Sequence, residues 1–106
     1  MYKPLPESVT IKQSGINGLG LFAKEGIAQG ANIGTSHIKI NGDIIRTPLG
    51  GFINHSNDAN TVKVELKINE TDDPLLKVAT KKWNLVALRD IKEGEELTVR
   101  YTFYKI

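Results

Sequence analysis

The chain has no cysteine. That excludes disulfides and every zinc site built on thiolates. Histidine is nearly as scarce: His37 and His55 are the only two, too far apart in sequence to form a helical ligand pair, so no metal is expected. No apolar run approaches the roughly 20 residues needed to span a bilayer, so no membrane is expected as a partner. The N-terminal "MYKPLPESVT" lacks the charged-then-apolar layout of a secretion signal. The expectation is an intracellular protein, cytoplasmic, or nuclear in a eukaryotic setting. Excess charge is small, net +2 from 14 basic and 12 acidic residues. So mild a bias gives nucleic acid little to hold, and it is not an expected partner.

What is present is an ordinary globular composition, 40% apolar and 25% charged over 106 residues, read as a single domain spanning 1–106. Strand signals dominate. "TVKVELKI" places Val62, Val64, Leu66 and Ile68 on one face and Lys63, Glu65 and Lys67 on the other. "ETDDP" reads as a turn, and "LLKVATKKWNLVAL" after it as one long or two short strands, the favoured unit being a hairpin of Asn60–Asn69 with Leu75–Lys82 and then Leu85–Leu88. Earlier strands are expected at Val9–Gln13, Leu19–Ala23, Asn32–Ile40 and Ile44–Thr47, and a last one at Glu96–Tyr101. Pro48–Asn54 is at most a short helical turn. The fold class is therefore mainly β, built of short strands. An internal echo accompanies it. Ala23, Ile27, Gly30 and Ile33 recur as Ala87, Ile91, Gly94 and Leu97 at a constant offset of 64. This is either a common turn solution used twice or a pair of β-units packed with pseudo-symmetry.

Three stretches carry candidate chemistry. "NGLGLFAKEG" contains Gly18-Leu19-Gly20, whose bare backbone can turn tightly or let a ligand approach. It lacks the strand–GxGxxG–helix layout of a dinucleotide site. "GGFINHSNDAN" concentrates hydrogen-bonding side chains in Asn54, His55, Ser56, Asn57, Asp58 and Asn60. These suit either an Asx-rich turn or the recognition of a polar ligand such as a purine edge and amino-acid termini. "EGEELTVRYTFYKI" brings Tyr101, Phe103 and Tyr104 together, as core or as a site where a hydroxyl anchors an amine and ring faces hold a cation.

Taken in order, "GxG", "FINHSxxxN" and "EELTxxY" resemble the SET domain, a family containing lysine methyltransferases that use S-adenosylmethionine. The resemblance runs from about Val9 to Tyr104, and the chain is similar in size to the free-standing SET proteins of large DNA viruses. It implies a β-clip of short twisted sheets with a C-terminal pseudoknot, in which the last segment threads beneath the Asn-His-Ser loop. It implies that Asn17, Gly18, Leu19 and Gly20 wrap the methionine part of S-adenosylmethionine, mainly by backbone. Asn54 and His55 would hold the adenine edge and the cofactor amine, and Tyr101 would stand at the methyl-transfer channel as the catalytic residue.

The implied reaction is attack of a lysine ε-amine, on a protein or peptide substrate, at the sulfonium methyl. At an unperturbed pKa near ~10.4, only about one lysine in a thousand is neutral near pH 7.4, a deficit of roughly 4 kcal/mol. A narrow desolvated channel beside a cationic sulfonium favours the neutral amine.

Several positions depart from the family pattern. Val99 and Arg100 stand where an aromatic and an acid are usual. Asn57 and Ala59 replace Cys and Pro. The "EYxGE"-like segment is reduced to "TSHIKINGDII", the insert before the Asn-His-Ser loop is almost absent, and there is no cysteine-rich tail. Phe103, Tyr104, Trp83 or a second subunit in a homodimer are the candidates to cover the adenine. Two other functions compete: a SET-like module that binds a peptide or partner without turnover, and a small β-barrel binding single-stranded nucleic acid through Lys81, Lys82, Trp83 and the terminal aromatics.

Overall fold

A computed structural model describes residues 5–40, 42–67 and 79–100. Eight strands and one short helix follow in the order β1 (Val9–Gln13), β2 (Leu19–Ala23), β3 (Asn32–Ile40), β4 (Asp43–Arg46), α1 (Pro48–Phe52), β5 (Asn54–His55), β6 (Thr61–Lys67), β7 (Ala79–Ala87) and β8 (Glu96–Val99). The first three strands fall where the alternation places them, β4 starts and ends one residue earlier, and the mainly β class holds. Strands neighbour one another in the order β1-β2-β8-β6-β7-β3-β4, with β5 laid parallel to β8. β8 ends at Val99, short of the expected Glu96–Tyr101, with Arg100 already out of the strand; Tyr101 and the expected turn "ETDDP" lie outside the described residues.

β7 decides between one long strand and two short ones, and goes against the favoured division into Leu75–Lys82 and Leu85–Leu88. In the fold one strand, β7, runs unbroken from Ala79 to Ala87 across Trp83 and Asn84. Asn84 is buried, and its side-chain oxygen accepts from the Thr35 hydroxyl at 2.8 Å. A cross-strand partner removes the cost that makes asparagine a strand breaker.

β6 follows its predicted period, with its apolar face turned outward. Residues directly opposite in an antiparallel pair point to the same face. Lys63 lies opposite Leu85 and Glu65 opposite Trp83, while Val62 faces Val86 and Val64 faces Asn84. Leu85 and Trp83 are buried, so that face is the inner one. The apolar side chains Val62, Val64 and Leu66 of β6 point outward and are 38–40% exposed. Lys63, carried inward, has its pKa lowered by burial.

The repeated unit is a physical pseudo-twofold. Ile27 and Ile91 form an antiparallel bridge, each N–H donating to the other's carbonyl at 2.8 Å. Around it the backbone bonds that join the two segments come in pairs at the offset of 64. Gly30 N donates to Ala87 O and Gly94 N to Ala23 O, both at 2.8 Å. Ala87 N donates to Ala31 O at 3.0 Å and Ala23 N to Glu95 O at 2.9 Å. Gly30 and Gly94 sit at φ +84° and +86°, in the left-handed region that glycine enters without steric cost. The side chains of Leu21, Leu85 and Leu97 are fully buried where the two units meet the sheet.

α1 is a short connector with a buried face. Thr47 caps it by accepting from Gly50 N and donates its own proton to Thr35 O at 2.7 Å. Gly50 is packed so tightly that a Cβ would overlap Ser36 O and press on His37.

Candidate functional site

The site is assembled around β8. Its one side pairs with β2, where Leu21 faces Leu97 and Phe22 faces Glu96. Both ends of the 54–61 segment then pair with its last residues: Asn54 with Thr98, His55 with Val99, and Thr61 with Val99, all parallel. Asn60 locks this crossing. Its side-chain oxygen accepts from Thr98 N at 2.8 Å and its nitrogen donates to Glu96 O at 2.9 Å. Those two backbone groups are what an adjacent strand residue would bond, so one buried amide substitutes for a stretch of strand. Glu95, which also accepts from Asn60, has its pKa lowered first by the Lys92 N–H and further by Arg89.

The glycine turn before β2 is shaped by Ser14. Ser14 N donates to Gly18 O at 2.7 Å, and Ser14 Oγ accepts from Ile16 N at 2.9 Å and Asn17 N at 3.3 Å. Gly18 takes φ +48° with nothing near its missing side chain. Asn17 and Leu19 are exposed beside it.

Asn54 ties this turn to β8. Its Nδ2 donates to Asn17 O at 3.1 Å, to Leu19 O at 3.3 Å and to Glu96 Oε2 at 3.0 Å. Asn17, Gly18, Leu19, Gly20 and Asn54, proposed from separate motifs, therefore meet in one place. His55 lies next to them with its Nε2 3.2 Å from Asn57 Oδ1. Tyr101, Phe103 and Tyr104 lie outside the described residues. Trp83 does not reach this surface as a lid. It is buried in the sheet, opposite His37 and Glu65. Nor does it offer a ring face for a base to stack on.

Two members of the cluster were not singled out from sequence. Glu96 accepts from Asn54 and also from the Ser14 hydroxyl, at 2.9 and 2.8 Å to its two oxygens. A Cβ on Gly20 would collide with Glu96 Oε2 and crowd Asn54 Nδ2. A side chain at the second glycine of "GLG" would thus displace a carboxylate 76 positions later. The letters "EELT" were visible, but alternation reads Glu96 only as the polar face of a strand.

Beyond the turn, an open pocket of about 340 Å³ is lined by residues that include Asn57, Lys63, Leu88, Val99 and Arg100. Arg100 closes its rim by donating to Asn57 O at 3.0 Å. The pocket adjoins the chain just before Tyr101.

The site can be tested for its fit to a nucleoside-bearing amino acid. Asn54 is 93% buried in the sense that only 7% of it is exposed. Among the described residues no donor reaches its Oδ1, yet no buried side-chain polar atom lacks a partner. That oxygen is therefore not fully enclosed, and it lies beside the turn at Gly18. An acceptor at this surface suits a ligand with an ammonium group.

A family model described as the SET domain matches residues 37–102. Among solved structures, a Plasmodium falciparum protein assigned as a histone methyltransferase superposes with a TM-score of 0.73 at 21% identity, over 92% of this chain and 96% of that one. A humanized mutant of the Chaetomium thermophilum Polycomb Repressive Complex 2, bound to an inhibitor, gives 0.69 at 22% identity over 91% of this chain. An apo form of that complex carrying two substitutions in its Ezh2 gives 0.67 at 23% identity. The chain spans 15% of each of these Polycomb chains. No curated protein matches.

Proposed function

The chain belongs to the SET-domain family, and from that premise we propose that it transfers a methyl group from S-adenosylmethionine to the ε-amine of a lysine in a protein or peptide. One observation carries the reading: the Asn54 side chain, nearly buried, joins the Gly18–Gly20 turn to Glu96 of β8 through its nitrogen, and no donor among the described residues takes its oxygen. The turn from Asn17 to Gly20 would hold the methionine end by backbone, and Asn54 and His55 the amine and the adenine edge. Phe103 and Tyr104, or a second copy of the chain in a homodimer, would cover the adenine. When bound, the cofactor supplies an electrophilic methyl on a cationic sulfur. Tyr101 would orient the incoming amine through its hydroxyl. The pocket beside Val99 and Arg100 supports an approach for the substrate segment on that side. An intracellular location goes with this reading.

A second function is favoured by one feature. Only Thr47 separates β4 from α1, so the chain has no room there for a segment walling a substrate groove. A domain that binds cofactor or peptide without turnover fits that brevity.

Calorimetry with S-adenosylmethionine separates these readings from unrelated ones. Binding is expected, and none at ~1 mM, far above common cofactor affinities, would remove the methyltransferase proposal. Labelled-methyl transfer to a lysine-containing lysate then distinguishes enzyme from binder. Tyr101→Phe should strongly reduce transfer and leave cofactor affinity largely intact; unchanged turnover would refute the role given to Tyr101.

A further inference from the structure

Glu96 belongs to the cluster but has no assigned task. Its carboxylate accepts the Ser14 hydroxyl proton and one Asn54 amide proton. Among the described residues the ion pairs are Lys81 with Glu65 and Arg89 with Glu95. The neighbouring Glu95 thus has an arginine, whereas Glu96 is satisfied only by neutral donors.

The directions of these bonds follow from donor and acceptor chemistry. Ser14 Oγ receives Ile16 N–H and Asn17 N–H, which occupies its lone pairs. Its single proton must then go outward, to Glu96. Asn54 Nδ2 faces two backbone carbonyls and the Glu96 carboxylate. All three are acceptors. Turning the amide over would set its oxygen against three oxygens, so the orientation is dictated by chemistry rather than by density of packing. Gly20 makes this possible, because any side chain there would displace the carboxylate.

We propose that Glu96, held by Ser14, is a positioning residue that turns Asn54 so its carbonyl oxygen faces the ligand, and so selects a ligand presenting an ammonium group. The inference rests on the methyltransferase reading for the identity of the ligand, where the ammonium is the α-amine of the cofactor. It does not rest on it for the orientation of Asn54. The uncompensated carboxylate one bond behind the amide adds to the effect, polarising the Asn54 carbonyl toward a cation. A neutral or anionic head group gains nothing from either.

The test uses the full chain and two probes that differ at the amine. S-adenosylhomocysteine carries the α-ammonium, and 5′-methylthioadenosine lacks the amino-acid portion. Glu96→Gln keeps the shape of the side chain but replaces one acceptor oxygen with a donor and removes the charge. By calorimetry, Glu96→Gln should lose about tenfold in affinity for S-adenosylhomocysteine, the scale of one charge-assisted hydrogen bond. Its affinity for methylthioadenosine should stay within about twofold. Ser14→Ala should show the same selectivity with a smaller loss, and it serves in place of Glu96→Gln if that variant does not fold. Equal losses on both probes, or no loss on either, would overturn the proposal, since a residue that only supports the fold has no reason to distinguish them.

A readout without ligand separates the two ideas. In amide-detected NMR, the Asn54 side-chain NH₂ resonances should move in Glu96→Gln, together with the backbone amides of Ile16 and Asn17. If the native chain binds neither probe, the methyltransferase reading fails, and these resonances still decide the orientation. Unmoved Asn54 resonances would overturn it whatever the probes do.

Discussion

The segment from Ala23 to Ile33 and the segment from Ala87 to Leu97 make the same backbone hydrogen bonds around the Ile27–Ile91 bridge, but they lead to different ends. The first enters β3, which continues for nine residues and is bent by register shifts at Gly34 and beyond. The second enters β8, whose described part is four residues long and is enclosed by the 54–61 segment. At matched positions Asn32 is exposed while Glu96 holds Ser14 and Asn54. The same offset carries His37 to Tyr101. The scaffold is therefore set by the shared isoleucines and left-handed glycines. The candidate chemistry lives in side chains that only one copy has.

The largest effects should come from breaking what both copies share. Ile27→Ala and Ile91→Ala each remove a buried side chain at the bridge, where 7% and 2% is exposed. Each should cost about 2–5 kcal/mol in urea unfolding. Because the two are in contact, the double variant should differ from their sum by about 0.5 kcal/mol or more. Strict additivity would mean the bridge is not one packing unit.

His37 offers a next, smaller test confined to the first copy. Burial lowers its pKa to about 4, helped by the nearby charges of Lys63 and then Arg46. The unfolded chain takes up this proton near pH 6.5 while the folded one resists until about 4. Its contribution is thus full above pH 6.5 and is lost as pH falls toward 4. The loss should approach about 3 kcal/mol over that window. His37→Gln should remove that part of the pH dependence, measured as urea midpoints at pH 7 and 4.5; an unchanged slope would contradict it. Glu95 also loses stability toward acid, but equally in both proteins.

Much of this architecture could be read from residue order. Period-two alternation located β1, β2 and β3 to the residue, and the echo at offset 64 located the pseudo-twofold. Alternation does not say which face of a strand is inside. In β6 the valines point outward because the core side is already filled by Trp83 and Leu85 of β7. The Gly18–Gly20 turn and Asn54 were legible because the motifs are local. Glu96 and Ser14 were not, since their contact spans 82 positions and neither residue type is unusual on its own. Asn60 was visible as part of a motif. Its use as a stand-in for strand backbone became clear only with β8 in place.

A finer comparison uses the glycines. Gly30→Ala and Gly94→Ala place a Cβ at φ +84° and +86° with nothing within contact distance of either. The cost is then backbone strain alone, about 1–2 kcal/mol. The two values should agree within about 0.5 kcal/mol. A larger gap would show that the copies are equivalent in geometry but not in rigidity.

The smallest expected effect sits at the matched pair that divides the two copies. Asn32 lies opposite Val86 as Glu96 lies opposite Phe22. It is exposed and makes no side-chain hydrogen bond among the described residues. Asn32→Ala should change stability by no more than about 0.5 kcal/mol, as for an ordinary surface site. Glu96→Ala removes the acceptor for Ser14 and Asn54, and should cost about 1–3 kcal/mol by leaving those donors unpaired. If the two substitutions cost the same, Glu96 is simply another polar residue on a strand. If they differ as expected, the asymmetry between the copies is energetic as well as chemical, and it is concentrated at the one carboxylate that the Gly18–Gly20 turn is built to receive.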